Sequence, residues 1–202
     1  MKRIVIIDYG LGNLRSVQKG LEHVGASPVI SGNPEEIMAA DGIILPGVGA
    51  FVDAMKCLVP LKGIIAEFAD SGKPMLGICL GQQVLMSSSE EGRLTDGLNL
   101  IQGKVLRFPK SELKVPHIGW NNIKIKQDHP LFKGIPEDSF VYFVHSYYVD
   151  TGAENTLASC EYGQEFSASV VNSKGNVMGT QFHPEKSGVT GLKILKNFVE
   201  MC

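Results

Sequence analysis

The sequence predicts an α/β fold with a central, mostly parallel sheet, helices on both faces and extra antiparallel strands. Residues 3–8 and 42–45 are β-branched and apolar without alternation, which is typical of strands buried on both faces of a parallel sheet. Strand and helix patterns alternate over about the first ninety residues, as in a layered α/β domain. The second half instead contains short strand-like runs separated by Gly, Asn, Asp and Pro.

Helices and strands follow one another in the first half. After the first strand, a glycine-containing turn over 9–12 leads into a helix over 13–24, where apolar residues recur at helical spacing. A short strand at 29–30 precedes a helix that we expect Asn33 to cap, with Glu36 completing a capping box. The segments that follow are, in order, a strand at 42–45, a turn at 46–49, a helix at about 61–70, a strand at 74–78 and a further helix.

The second half adds strands and one closing helix. We expect strands over 98–108, 121–125, 140–149, 156–162, 166–172 and 177–182, and a helix over 192–199. Because no repeat, low-complexity segment or linker divides the chain, we expect a single domain over residues 1–202. A domain of this size buries roughly 70% of the surface of its unfolded chain.

Composition excludes several classes of function. The chain is 44% hydrophobic and 20% charged with a net charge of −2, and its Lys and Arg are scattered rather than clustered as in nucleic-acid-binding proteins. The first apolar run is too short for a signal peptide, and no run reaches the ~18 residues of a membrane span. Cys57, Cys79, Cys160 and Cys202 show neither metal-site spacing nor the density of a disulfide scaffold. We therefore expect a cytoplasmic protein without metal, cofactor, nucleic acid or membrane partner.

The segment PMLGICLGQQ, residues 74–83, places Cys79 between two glycines, each two residues from it. A strand that ends in a small-x-nucleophile-x-small turn and leads into a helix is typical of a nucleophile elbow. The glycines allow strand and helix to approach closely, and the helix N-terminus favours a thiolate. A buried structural cysteine is the alternative for this stretch alone.

The segment GTQFHPEKS, residues 179–187, offers a base for such a nucleophile. In an extended segment residues two apart point the same way, so Glu185 can face the imidazole of His183, fix its tautomer and favour the imidazolium. A surface His-Pro-Glu turn is the alternative. Together with the elbow at Cys79, the segment favours a Cys-His-Glu triad.

The segment LPGVGAF, residues 45–51, could supply an oxyanion hole. A buried strand that ends in Pro-Gly-x-Gly offers unhindered backbone N–H groups at the same edge of the sheet as Cys79. The N–H of Leu80, directly after the nucleophile, would be the second donor. A plain turn between strand and helix is the alternative.

The other histidines are weaker candidates. We expect His23 to be solvated on a helix and His129 to lie in a loop without chemistry. His117 and His145 have aromatic neighbours, so they are either packed strand ends or part of a substrate channel.

These motifs together resemble those of the class I (triad) glutamine amidotransferases. The Gly-Ile-Cys-Leu-Gly run with Gln83 and the Gln-Phe-His-Pro-Glu run at 181–185 carry that resemblance. The segments DYGLGN, PGVGAF, PHIGWN, FVHSYY and FHPEKS resemble, more narrowly, the glutaminase subunits of imidazole glycerol phosphate synthase. The likeness extends from Ile4 to the last helix and implies a flavodoxin-like sheet.

The resemblance also implies roles for individual residues. It makes Cys79 the nucleophile, His183 the general base and acid, and Glu185 the group that orients the imidazole. The backbone N–H groups of Val48 and Leu80 would hold the oxyanion. The other implied residues are Gly49, Gln83, Glu91, Ser146 and Tyr147 in glutamine binding, and Asn13 and Lys186 near a partner interface.

The implied activity is hydrolysis of glutamine to glutamate and ammonia in histidine biosynthesis. Ammonia would pass to a (βα)8-barrel cyclase subunit in a heterodimer, which is sensible because ammonia that reaches neutral bulk water becomes non-nucleophilic ammonium. Glu91 would pair with the ammonium of free glutamine, unless it only forms an exposed acidic pair with Glu90. The remaining alternatives are a glutaminase subunit of another synthase, such as one for surface-polysaccharide amino sugars, a stand-alone cysteine hydrolase or peptidase, and a non-catalytic regulatory homologue.

Overall fold

The computed structural model of the chain describes residues 2–110 and 112–202 and confirms the predicted α/β class. Residues 1 and 111, which the single-domain prediction includes, lie outside the described residues. The helices are α1 (Leu14–His23), α2 (Pro34–Met38), α3 (Phe51–Leu58), α4 (Lys62–Asp70), α5 (Leu80–Val84) and α6 (Gly188–Met201). Within the described ranges, no helix is long and apolar enough to cross a membrane.

Fourteen strands are present in the described residues. Those of the first half are β1 (Arg3–Ile7), β2 (Ser27–Ser31), β3 (Gly42–Gly47), β4 (Met75–Cys79), β5 (Ser88–Ser89) and β6 (Thr95–Asp96). Those of the second half are β7 (Lys104–Arg107), β8 (His117–Asn122), β9 (Lys124–Ile125), β10 (Phe140–His145), β11 (Tyr147–Asp150), β12 (Thr156–Glu161), β13 (Glu165–Val171) and β14 (Val177–Thr180).

The main sheet has the strand order β2-β1-β3-β4-β14-β13-β11-β7-β5-β6, and β12 branches from β13 and in turn pairs with β9. The strands from β2 to β14 pair in parallel, which matches the predicted flavodoxin-like order. From β14 to β7 the pairing is antiparallel, and β8 and β10 form a separate antiparallel pair. The carboxyl ends of the parallel strands therefore lie at one edge of the sheet. Open α/β sheets bind their ligands at this edge.

Helices cover both faces of the parallel strands. In β1, Ile4 and Ile6 enter the core that includes α1 and α6, whereas Val5 and Ile7 enter the core that includes α3 and α4. All four side chains are fully buried. Successive side chains of a strand point to opposite faces, so two buried faces produce the continuous apolar run seen in the sequence.

Several predicted boundaries are wrong. The strand expected over 98–108 forms only in β7, and residues 121–125 are divided between β8 and β9. The strand expected over 140–149 breaks at Ser146, because β10 pairs with β8 whereas β11 pairs with β7 and β13 in the main sheet. A single strand pattern thus covers two strands that belong to different sheets.

The start of α2 differs in one detail from the predicted capping box. Asn33 Oδ1 accepts a hydrogen bond from the Glu35 N–H at 2.8 Å, as expected of an N-cap residue. The Asn33 N–H donates to Ser31 Oγ at 3.0 Å, while the Glu36 carboxylate pairs with Arg3 at 3.3 Å. A serine hydroxyl therefore takes the place that the capping box assigns to the glutamate.

The helix α3, which the sequence pattern does not predict, receives its cap from a distant residue. The residue before it, Ala50, has no side-chain acceptor. Glu91 supplies one instead, since its Oε2 accepts a hydrogen bond from the Phe51 N–H at 2.8 Å. A negative charge at a helix N-terminus is stabilising. The residue that caps the start of α3 therefore lies forty residues after Phe51 in the sequence.

The close packing of α5 against the neighbouring strand β3 can be tested by adding one methyl group. A Cβ on Gly81 would collide with the Leu45 carbonyl oxygen. We expect Gly81→Ala to lower the free energy of unfolding by about 3 kcal/mol or more, because backbone atoms on both sides cannot move apart. Urea denaturation measures this difference.

The matched control is Gly63→Ala in α4, where an added Cβ would meet nothing within 4 Å. It should leave stability unchanged or raise it by up to about 1 kcal/mol, as expected in a helix. Equal stabilities of the two variants would contradict the packing described here.

Candidate active site

The backbone around Cys79 has the form of the predicted nucleophile elbow. The strand β4 ends at Cys79, which directly precedes the first residue of α5. Cys79 has a φ of 56° and a ψ of −109°. A positive φ is uncommon and strained for a residue with a side chain. A Cβ on Gly77 would lie 2.5 Å from the Gly81 carbonyl oxygen, so only glycine permits this approach of strand and helix. The turn places the thiol at the carboxyl edge of the sheet.

The neighbours of β4 bring two further segments to the sulfur. The strands β3 and β14 flank β4 in parallel, with Gly47 opposite Cys79 and Thr180 opposite Ile78. Because the three strands end at nearly the same level, the turn after β3 and the segment 181–185 both lie beside Cys79. The register of the sheet thus brings the segment after β14 next to Cys79, although about a hundred residues separate the two in the sequence.

His183 and Glu185 form a buried pair. The Nδ1 atom of His183 lies 2.9 Å from Glu185 Oε1, and the two side chains are 3% and 1% exposed. Residues 184–186 form a 3-10 turn, so the extended geometry predicted for this segment is wrong, although the predicted contact is present. The main chain holds the ring in place, since the His183 N–H donates to Tyr142 O and Ser187 Oγ donates to His183 O.

The charge state of His183 follows from its neighbours. Burial by itself lowers the pKa of His183, but interactions with the Cys79 thiol and with Glu185 outweigh burial and raise it to about 9. Its Nε2 atom is buried and makes no hydrogen bond of ordinary geometry within the described part of the chain. With Nδ1 held by the carboxylate, Nε2 is the nitrogen left to exchange a proton with the thiol.

The sulfur of Cys79 has two further polar neighbours. Gln181 Nε2 lies 3.8 Å from Sγ, and the carbonyl oxygen of Val144 lies 3.9 Å from it. Sequence reasoning assigns no role to Gln181. The signal that could have found it is its position two residues before His183 in the same segment.

A cavity of about 330 Å³ opens beside the thiol. Its lining contains most of the residues that the resemblance assigns to catalysis and binding: Val48, Gly49, Cys79, Leu80, Gln83, Glu91, Ser146, Tyr147 and His183. Glu185 lies behind His183 and does not line the cavity. Pro116, Val144 and His145 complete the lining, and of these the sequence offers only His145, as one of two alternatives, for a substrate channel. The structure thus brings the expected residues together, and their individual roles stay predictions.

Two expected glutamine contacts already have partners inside the protein. Gln83 Nε2 donates to Tyr147 O and to Gln181 Oε1, both at 3.0 Å, which leaves the Gln83 oxygen for a ligand. Glu91 caps α3 through Oε2 and lines the cavity. Glu91 is half-buried and Glu90 is exposed, so the alternative of an exposed acidic pair is wrong.

The turn after β3 is anchored at one end. Tyr9 Oη donates to the Pro46 carbonyl oxygen at 2.7 Å. Burial raises the pKa of Tyr9, so this hydroxyl stays a donor. Further along, Gly49 has a φ of 100° and the side chain of Val48 is largely exposed. The turn is therefore fixed at its first residue and conformationally free at its glycine.

The remaining histidines are placed as follows. His23 is exposed, as predicted. His129 accepts from the Leu131 N–H at 3.2 Å and does not line the cavity beside Cys79. His117 and His145 are buried at paired strand ends among aromatic rings, as the first of the two alternatives describes, and His145 also lines the cavity beside Cys79.

The two residues expected near a partner interface lie on adjoining elements. Asn13 is half-exposed directly before α1, and Lys186 is exposed at the end of the 3-10 turn that contacts α1. Neither lines the cavity beside Cys79.

Comparison with known proteins gives a consistent family. The model of the family "Glutamine amidotransferase class-I" matches residues 5–202. The chain is 90% identical over 202 residues to "Imidazole glycerol phosphate synthase subunit HisH" of Methanosarcina acetivorans, covering 100% of both. It is 53% identical over 198 residues to the protein of the same name from Methanocaldococcus jannaschii, covering 98% of this chain and 99% of that protein.

Solved structures share the fold. "Structure of PurLQS from Thermotoga maritima" matches with a TM-score of 0.79 at 23% identity, covering 99% of each chain. A glutamine amidotransferase from the same organism matches with a TM-score of 0.64 at 20% identity, covering 94% of this chain and 78% of that chain. At these identities the likeness shows the fold alone.

The raised pKa of His183 links stability to pH. Because its folded value of about 9 exceeds the ordinary 6.5, protonation of His183 stabilises the folded state. That contribution is fully present below about pH 6.5 and is lost as the pH rises through about 9. We expect Glu185→Gln to lower the pKa of His183 and to flatten this loss, as measured by denaturant unfolding across the range.

Glu22→Gln, which changes an exposed carboxylate on α1, is the matched control and should keep the pH dependence of the wild type. An unchanged pH dependence in Glu185→Gln would contradict the role of the buried carboxylate.

Proposed function

The chain belongs to the class-I glutamine amidotransferases and, within them, to the HisH subunits of imidazole glycerol phosphate synthase, and we propose on that premise how its cavity releases ammonia from glutamine. The observation that carries the proposal is the strained Cys79 at the start of α5 beside the buried pair of His183 and Glu185. A nucleophile, a base and a group that orients the base are the parts that covalent amide hydrolysis requires.

The reaction follows from these positions. With a proton on His183 Nε2, as the raised pKa of His183 favours, Cys79 Sγ attacks the side-chain amide carbon of glutamine. The electrons of the C=O bond move to oxygen, and the N–H groups of Val48 and Leu80 stabilise that oxyanion. When the C–N bond breaks, His183 gives its proton to the departing nitrogen, which leaves as ammonia. Water activated by His183 then attacks the γ-glutamyl thioester and releases glutamate and the thiol.

The acidic wall of the cavity supports free glutamine as the substrate. The free oxygen of Glu91 suits the α-ammonium of an amino acid, and its other oxygen is fixed by the N-terminus of α3. Gln83, Ser146 and Tyr147 line the same cavity, together with Gly49. A glutamine within a peptide has no such ammonium, so these groups favour the free amino acid over a protein substrate.

The product explains why a partner is needed. Ammonia must reach its acceptor before it is protonated in bulk water, and we propose a (βα)8-barrel cyclase subunit as the protein that receives it. The surface we assign to this partner, here called the apolar patch, consists of Ile118, Trp120, Phe140 and Val189, each more than half exposed. Contiguous exposed apolar surface of this kind is typical of interaction sites.

The position of the apolar patch supports this assignment. Ile118, Trp120 and Phe140 lie on one face of the pair β8–β10, and Gly188, next to Val189, approaches the ring of Trp120. The same strand pair provides the carbonyl that holds the His183 main chain. Lys186 and Asn13 would lie at this interface. We further propose a single domain over residues 1–202 in the cytoplasm, where the four free cysteines stay reduced.

Replacing the nucleophile separates the two activities of the complex. Cys79→Ala should abolish glutamate release, whereas synthesis by the complex with added ammonium salt should stay intact, because the thiol is needed only to make ammonia. Cys57→Ala is the control, since Cys57 is exposed and lies outside the cavity. Substantial glutamate release by Cys79→Ala would overturn the proposed function.

The free glycine in the turn after β3 leads to a second prediction. If the partner fixes the Val48 N–H toward the oxyanion, glutamate release should rise when the cyclase binds and rise again with an acceptor analogue. One such donor changes the rate by a factor of about 10²–10³. Steady-state glutamate release by the chain, by the complex and by the complex with the analogue measures this. Equal rates in all three would exclude activation through the turn.

A further inference from the structure

Two buried histidines take no part in the mechanism described above. His117 and His145 end the strands β8 and β10, face each other in register, and are 2% and 6% exposed. His117 Nδ1 lies 3.0 Å from His145 Nε2. The ring of His117 stacks between Tyr162 and Phe143, with centroid distances of 4.0 and 4.8 Å. These rings hold the pair away from solvent.

The hydrogen bonds of the pair fix where each proton lies. His145 Nδ1 is 2.8 Å from Tyr147 O, and since a carbonyl oxygen only accepts, Nδ1 carries the proton. In the neutral ring Nε2 is then an acceptor, so His117 Nδ1 must donate to it. His117 Nε2 is left to accept from Asn121 Nδ2 at 3.4 Å, and that amide also donates to Glu161 O. Both imidazoles are thus assigned as Nδ1–H tautomers.

The surroundings favour the neutral form of both rings. Burial lowers the pKa of His117 to about 4. Burial also lowers the pKa of His145 to about 3, against the hydrogen bond to Tyr147 O, and His117 and His183 lower it further. The rings of Phe108 and Phe166 pack on His145, and among the described residues no carboxylate offsets the burial there. At neutral pH the pair has one arrangement of protons.

The carbonyl held by His145 belongs to the wall of the cavity. Tyr147 O also accepts from Gln83 Nε2 at 3.0 Å. The same amide group donates to Gln181 Oε1 at 3.0 Å, and Gln181 Nε2 lies 3.8 Å from Cys79 Sγ. A continuous series of hydrogen bonds therefore connects the histidine pair with the thiol.

We propose that His117 and His145 are positioning residues for the cavity: the paired imidazoles hold the Tyr147 carbonyl where Gln83 meets it, and thereby orient Gln83 toward the ligand. The proposal rests on the proposed glutaminase function. Without the donor at His117, the Nε2 lone pair of His145 stays buried without a partner. The His145 ring is then no longer held on that side, so its Nδ1–H fixes the Tyr147 carbonyl less firmly and the wall of the cavity can shift.

The tautomers can be measured without any reaction. Long-range ¹H–¹⁵N correlation spectra of the full chain labelled in histidine should show two neutral Nδ1–H rings at pH 7. This is the less common tautomer of free histidine in water, so the result is specific to the assigned network. Nε2–H tautomers for both rings in the wild type would overturn the proposal, and this measurement does not depend on whether a variant folds.

Two variants at one position separate the hydrogen bond from ring packing. His117→Phe keeps an aromatic ring between Tyr162 and Phe143 but removes the donor. His117→Asn loses the ring but can place its amide N–H where Nδ1 stands. We expect the side-chain Nδ1–H of His145 to exchange with solvent faster in His117→Phe than in the wild type, and at about the wild-type rate in His117→Asn. Equal exchange rates in His117→Phe and the wild type would overturn the proposal.

Kinetics of the complex with the cyclase subunit supply the functional readout. In His117→Phe the KM for glutamine should rise about ten-fold with a smaller change in kcat, and His117→Asn should restore part of it, since loss of one buried hydrogen bond has this scale. His23→Phe, at an exposed position, should behave as the wild type. An inactive wild type would overturn the proposed function, whereas an active wild type matched by His117→Phe would overturn only this inference.

Discussion

The site depends first on the close approach of two main-chain segments, the end of β4 and the start of α5. Gly77 faces the backbone of α5 at Gly81, and Gly81 in turn faces the Leu45 carbonyl of the neighbouring strand β3, so neither has room for a side chain. Between them Cys79 is held at a positive φ that it would not adopt by itself. The packing of strand against helix supplies that constraint, and the thiol is presented at the helix N-terminus as a result. Every other group in the site is positioned relative to this fixed point.

Both sheets contribute to the position of the other groups in the site. The main sheet brings His183 and the turn after β3 to Cys79 because its central strands are parallel and end at the same level. The small sheet of β8 and β10 then holds His183 from the other side, through Tyr142 O. Its outer face carries the apolar patch, and its buried end carries the two histidines. The base of the triad therefore lies between the catalytic strand and the surface assigned to the partner.

The sequence predicted those elements that are determined by residues close together in the chain. Strands buried on both faces, the elbow glycines and the spacing of His183 and Glu185 all appear as short patterns, and the family resemblance placed the cavity residues together. The missed features have distant causes. The helix α3 is capped by Glu91 from another loop, and the break at Ser146 exists because two different strands pair with its two sides. Gln181 acquires its contact with the thiol only when the sheet is assembled.

The cap on α3 also bears on how the cavity receives a charged ligand. One carboxylate oxygen of Glu91 is tied to the helix N-terminus, and the residue lines the cavity where a ligand would lie. A flexible acidic side chain would lose rotational freedom on meeting an ammonium group, and an isolated one would be poorly solvated in a partly closed cavity. Here both costs arise during folding and not on ligand binding, because the helix dipole stabilises the negative charge of Glu91 and the hydrogen bond to the Phe51 N–H fixes the orientation of its side chain. The binding site is therefore preorganised by the secondary structure itself, because the N-terminus of α3 holds the negatively charged side chain at the cavity before a ligand binds.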